Sequence, residues 1–95
     1  MELKDTIEMM QSADYKERFV AEYQQTKIRY EKLKSFNNKI EAARRTMCDP
    51  FTPSAKKAEE PKHDCPEEML REQQSIMGNY LHILEVRAEI EGIKL

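Results

Sequence analysis

The sequence predicts an all-α protein. A short N-terminal helix leads into a long antiparallel helical hairpin, and the hairpin assembles into a homo-oligomeric bundle. Three observations point there. Residues 14–47 contain no Gly or Pro, and their apolar and aromatic side chains recur in alternating steps of four and three. Residues 65–91 carry a second helical pattern that is apolar over about half its circumference, more than one hairpin partner can cover. Between them stand Pro50, Pro53 and Pro61, which no helix interior tolerates.

Composition agrees with this reading. The chain has 95 residues, enough for one small domain over 1–95. Charged residues make up 36% and the hydrophobic set 39%, with two Gly and no Trp, the profile of long helices. A helical scaffold this small gains stability by self-association. The net charge of −2 disfavours nucleic acid as a partner, because the phosphate backbone selects strongly basic surfaces. Met1-Glu2-Leu3-Lys4-Asp5 shows no basic stretch followed by an apolar core. No apolar run reaches the roughly 20 residues that span a bilayer. A cytoplasmic location, with Cys48 and Cys65 reduced, is the expectation.

Each element has its own signals. Leu3, Ile7 and Met10 recur at helical spacing, which predicts a first helix over 2–11. Ser12-Ala13-Asp14 interrupts it. Asp14 with Glu17 three positions on forms a capping box, so the second helix, 14–47, starts there. Its seam reads Phe19, Tyr23, Thr26, Tyr30, Leu33, Asn37, Ile40, Arg44, Met47, widened by Phe36 and Ala43. Asn37 is either a buried amide that fixes register or a side chain leaning into solvent. Residues 48–64 read as a mobile connector, longer than most helix–helix links. The third helix, 65–91, opens on Cys65-Pro66-Glu67-Glu68, with proline and acids in the first turn. Leu70, Met77, Leu81, Leu84 and Ala88 form one stripe on it; Met69, Ile76, Tyr80, Ile83 and Ile90 form a second. Gly92 ends the helix, and Ile93 and Leu95 are expected to pack as a tail.

Few residues suggest chemistry. There is no nucleophile elbow and no Gly-rich phosphate loop, so an enzyme is not expected, nor is a cofactor. Cys48, His63 and Cys65 match no zinc spacing and lack a fourth ligand, so no metal is expected. One pattern stands out. Lys16, Tyr23, Lys27, Tyr30 and Lys34 return to nearly the same face of the second helix, and Arg45 continues the strip. Aromatic rings interleaved with ammonium groups suit a ligand that joins a nucleobase to phosphate. Tyr15 and Arg18 sit near the helix start, where free N–H groups favour anions. The competing reading makes the tyrosines core and the lysines its wet border.

Two blocks carry a resemblance. One is Asp14-Tyr15-Lys16-Glu17-Arg18-Phe19 with Glu22-Tyr23 and Ile28-Arg29-Tyr30-Glu31-Lys32-Leu33. The other is Cys65-Pro66 with Met77-Gly78-Asn79-Tyr80-Leu81 and Leu84-Glu85-Val86-Arg87-Ala88-Glu89-Ile90-Glu91-Gly92-Ile93. They resemble small proteins of bacteriophages and prophages of Gram-positive bacteria. The expected architecture is also similar to the anti-CBASS and anti-Thoeris sponge proteins, oligomeric helical hairpins that hold cyclic nucleotide immune signals between subunits. That likeness is one of architecture and size, and it assigns no residue. It implies a non-enzymatic, phage-encoded protein of the host cytoplasm that sequesters a cyclic nucleotide and so counteracts antiviral defence. The ligand-binding candidates are Tyr15, Lys16, Arg18, Tyr23, Lys27 and Tyr30. A helical adaptor that docks a host protein, or a structural phage component, is the alternative.

Overall fold

The computed structural model describes residues 1–53 and 59–95. Among the described residues the chain is all-helical, with no strand. A 3-10 turn, Leu3–Thr6, runs into one α-turn, α1 (Ile7–Met10). The long helices are α2 (Tyr15–Met47) and α3 (Glu67–Glu91). They form a slender body, 56 × 25 × 22 Å. Thirty-three helical residues alone account for about 50 Å of that length.

The N-terminal segment is less regular than the helix expected over 2–11. The Thr6 hydroxyl donates to the Leu3 carbonyl at 2.7 Å, and the Glu2 N–H donates to the Asp5 carboxylate at 2.8 Å. These short-range bonds favour the tighter turn. The segment is tied to α2 through Gln25, whose amide donates to Thr6 Oγ1 at 2.9 Å and to Met10 Sδ at 3.3 Å. Thr6 is fully buried as a result, and so is Ala21 on the face of α2 turned away from α3. The chain thus stacks as N-terminal segment, α2, α3.

Asp14 caps α2, its carboxylate accepting from the Lys16 N–H at 3.0 Å, but the capping box expected with Glu17 does not close, because the Asp14 N–H donates to Ser12 Oγ at 3.0 Å. α3 begins at Glu67, two residues later than expected, because Pro66 is the N-cap. Its carbonyl takes the Met69 and Leu70 N–H groups at 3.1 and 3.2 Å. α2 and α3 pack antiparallel, the start of α2 against the end of α3. Phe19, Tyr23, Leu81, Leu84, Ala88 and Ile93 form the core there, with Val20 and Tyr30 at its margin. Farther along, Asn37 is buried. Its amide donates to the Leu70 carbonyl at 3.1 Å and to Gln74 Oε1 at 2.8 Å. It therefore pins the register of the two helices rather than leaning into solvent.

The apolar seam of α2 stops short of its predicted end. Ile40 and Ala43 are fully buried, but Arg44 and Met47 are exposed. Arg44 turns outward to contact Glu67 and, at 3.0 Å, Glu60. Arg71 joins the cluster at 2.7 Å from Glu67 and 3.3 Å from Glu41. These charges clamp the end of α2 to the start of α3. The described flanks of the connector are likewise held. Asp49 accepts from the Thr52 hydroxyl and, at 3.0 Å, from the Phe51 N–H, bonds that lower its carboxyl pKa from the ordinary value. His63 meets the Phe36 ring edge-on at 6.1 Å and donates from Nδ1 to the Cys65 carbonyl at 2.7 Å. The mobility expected of the connector's middle falls on residues 54–58, outside the described residues.

Of the two α3 stripes, the first forms the hairpin core, and from the second only Tyr80 reaches α2, through its hydroxyl bond to Glu22. Leu81, Leu84 and Ala88 are buried, whereas Met69, Ile76, Ile83 and Ile90 stay 55%, 59%, 54% and 79% exposed. The excess apolar width read from the sequence is real surface in the single chain.

Candidate functional site

A shallow cleft runs along one flank of the hairpin, between α2 and α3. Its upper stretch, about 300 Å³, is lined by Tyr23, Lys27, Tyr30 and Glu31 of α2 and by Gly78, Leu81 and Glu85 of α3. The next stretch, about 390 Å³, shares Tyr23 and Glu85 and adds Ala88, Glu89 and the tail Ile93-Lys94-Leu95. The last, about 170 Å³, shares Ile93 and Lys94 and adds Lys16, Glu17, Val20, Met9 and Gly92. The shared residues make these three one continuous surface.

Local structure explains how each wall forms. Spacings of seven, four and three place Lys16, Tyr23, Lys27 and Tyr30 along one strip of α2. The Lys27 ammonium sits 5.9 Å from the centre of the Tyr23 ring, within cation–π range. Across the cleft, Gly78 leaves room for the Tyr30 ring: a Cβ there would stand 3.3 Å from Tyr30 Cε1. At the lower end Gly92 adopts φ 69°, and the Ile93 N–H returns to the Ala88 carbonyl at 2.8 Å. This left-handed cap folds the tail back, buries Ile93 and sets Lys94 on the cleft.

The six residues singled out from the sequence do not all converge. Lys16, Tyr23, Lys27 and Tyr30 line the cleft. Tyr15 and Arg18, expected at the helix start rather than on the strip, lie away from the cleft. Tyr15 lies round the helix on the other flank, where its hydroxyl accepts from Arg87 and its ring stands 6.1 Å from Phe19. Arg87 also lies 5.0 Å over the Phe19 ring. Arg18 Nη1 donates to the Ser12 carbonyl at 2.8 Å, so it braces the turn before α2. Farther along the strip, Arg45 is drawn to Glu41 at 3.4 Å. Lys94 is the lining cation that the sequence reading passed over. Its signal was present: a Gly followed by an apolar residue at a helix end reverses the chain onto the helix it has just left.

The cleft is mixed in charge. Lys16, Lys27 and Lys94 take part in none of the ion pairs among the described residues. Glu17, Glu31, Glu85 and Glu89 stand along the same surface. Tyr23 is core and brings only its rim to the cleft, as the competing reading of the tyrosines has it, whereas half-buried Tyr30 offers a more open ring; the three ammonium groups offer anion contacts. The carboxylates limit how much negative charge one chain can hold by itself. On the opposite flank, Tyr80 donates its hydroxyl to Glu22, and that bond, aided by burial, raises the phenol above its ordinary pKa.

Other surfaces offer less. A groove of about 470 Å³ between the N-terminal segment and α2 carries Lys4 and Arg29 beside Ile7 and Met10, but no aromatic ring. Among the described residues no three His, Cys, Asp or Glu side chains gather as metal ligands. No helix there is long and apolar enough to cross a membrane.

Comparison with known proteins adds one finding. No curated protein and no solved structure matches the chain. The model of the Sequestin family matches residues 13–90, from the turn before α2 almost to the end of α3. The match takes in both long helices and most of the cleft they form, and on it the chain belongs to the Sequestin family.

Proposed function

We propose that this protein is a non-enzymatic sponge: it binds a small anionic nucleotide signal, cyclic in form, and withholds it from its receptor. Family membership carries this reading, because the name Sequestin denotes sequestering and the match spans both walls of the cleft. The cleft gives it a chemical form. Tyr30 supplies a face for a base, bordered by the rim of Tyr23, and Lys16, Lys27 and Lys94 supply charge for phosphate. Acids on the same surface leave one chain a poor polyanion trap, so a second copy completes the site, and the ligand sits between copies of the chain. Resemblance to phage and prophage proteins supports a role against antiviral signalling in the host cytoplasm.

Calorimetric titration with a panel of cyclic di- and trinucleotides tests this. At least one should bind with Kd below about 100 µM, the equivalent of roughly 5.5 kcal/mol. Lys27→Glu and Lys94→Glu should each weaken that binding tenfold or more while leaving the helical circular-dichroism signal unchanged. Failure of the whole panel to bind, or equal binding by both variants, would remove the reading.

A further inference from the structure

The outer stripe of α3 has a more regular order than its exposure alone suggests. Met69, Ile76, Ile83 and Ile90 are spaced by seven residues throughout. They form a line about 32 Å long at 1.5 Å per residue, and every member is more than half exposed. That is the pattern of a helix–helix seam, with β-branched residues at three of four positions. The line is symmetric about a point between Asn79 and Tyr80. Turned end for end on that point, Met69 lies opposite Ile90, and Ile76 opposite Ile83.

The flanking charges follow the same symmetry. End-for-end pairing sets Glu72 against Arg87. Glu72 takes part in no ion pair among the described residues. Arg87 keeps about half of its side chain exposed beside its contacts with Glu91 at 3.2 Å, the Tyr15 hydroxyl and the Phe19 ring. Parallel pairing would instead stack Glu72 on Glu72 and Arg87 on Arg87. The antiparallel register also brings Glu68 toward Glu91 at each end, where Arg87 already offsets the charge on Glu91. A helix face complementary to its own reversed copy, in apolar line and in charge, fits a two-fold partner of the same sequence.

We infer that a second copy of this chain docks on the outer stripe of α3, antiparallel, with the two-fold axis between Asn79 and Tyr80. The pairing does not depend on what the cleft binds. Gly78 and Glu85, which line the cleft, lie on the far flank of α3 from Ile76 and Ile83. The dimer therefore leaves both clefts open.

Disulfide trapping tests orientation and register together. The natural thiols, both exposed, are replaced first by Cys48→Ser and Cys65→Ser. Single-cysteine variants Ile76→Cys and Ile83→Cys, one of them isotopically labelled, are then oxidised alone and mixed, and the products weighed. The expected product is the mixed Ile76→Cys/Ile83→Cys dimer, in at least tenfold excess over either self-dimer, since opposed residues come within disulfide reach. Asn79→Cys, beside the axis, should link to itself. Self-dimers from Ile76→Cys alone would establish a parallel pair and overturn the inference. So would the absence of any cross-link together with a monomer of unmodified protein in sedimentation equilibrium. Neither outcome bears on the nucleotide titration, which uses the unmodified chain.

Discussion

Gly78 offers a quantitative test of the cleft wall. It sits inside α3, where Gly costs about 1 kcal/mol relative to Ala in helix propensity. Gly78→Ala would recover most of that. The new Cβ would meet Tyr30 Cε1 at 3.3 Å, the hydroxyl oxygen at 3.6 Å and Cζ at 3.7 Å. Only the first contact is tight, and the half-buried ring has open cleft beside it. A shift of a few tenths of an ångström costs a few tenths of a kcal/mol in lost dispersion contacts. The net effect should be a stabilisation of about 0.5 kcal/mol, a rise in Tm of about 2–4 °C for a domain of this size. Gly78→Leu is a different case. Its side chain needs the volume that the ring occupies, so it should cost about 1–3 kcal/mol through overpacking and push Tyr30 outward. Thermal denaturation followed by circular dichroism, at one protein concentration for all variants, reads both effects. Loss of more than 1 kcal/mol in Gly78→Ala would refute the reasoning. It would mean that α2 and α3 hold the ring more rigidly than the open cleft allows.

Three further outcomes follow from named contacts. Asp14→Ala removes the side-chain N-cap of α2 and should cost about 1 kcal/mol in chemical denaturation. Asn37→Ala should cost about 1–3 kcal/mol by stripping the Gln74 amide oxygen and the Leu70 carbonyl of their cross-helix donor. Asn37→Leu should restore much of this stability but relax the register, visible as broadened NMR resonances. The Tyr80–Glu22 bond holds the protonated phenol in the folded state. Its contribution is therefore complete below the unfolded phenol value of about 10 and disappears as pH rises through the higher folded value. Wild-type Tm should fall more steeply above pH 10 than that of Tyr80→Phe, and equal slopes would contradict the assignment.

Much of the architecture was legible because it rests on local rules. Asp14, the Gly- and Pro-free run after it, and Gly92 mark helix ends through capping chemistry alone. The two stripes of α3 showed that one face would be left over. What sequence could not supply was the azimuth of each side chain relative to a partner helix. Tyr15 and Arg18 belong to the first turn of α2 along with Lys16, yet only Lys16 faces the cleft. Arg87 and the Ser12 carbonyl claim the other two. Arg44 fell at a seam position but turned outward, since Glu67 meets it from the first turn of α3 and Glu60 from a connector whose path no periodicity encodes. Lys94 joined the site through the reversal after Gly92; packing of the tail was expected for Ile93 and Leu95 but gave no place to the lysine between them. Residues 2–11 looked helical by spacing, but side-chain bonds within three residues tightened Leu3–Thr6 into a 3-10 turn.

The two proposed contacts between copies have different duties. The α3 stripe joins chains in pairs and leaves the clefts free. Closure of a cleft by another copy then holds the ligand. Native mass spectrometry of the purified protein, incubated with the best-binding cyclic nucleotide of the panel, reads both at once. The account predicts an even-numbered assembly that retains nucleotide, and loss of the bound mass in Lys27→Glu. A monomer that releases every nucleotide would contradict it.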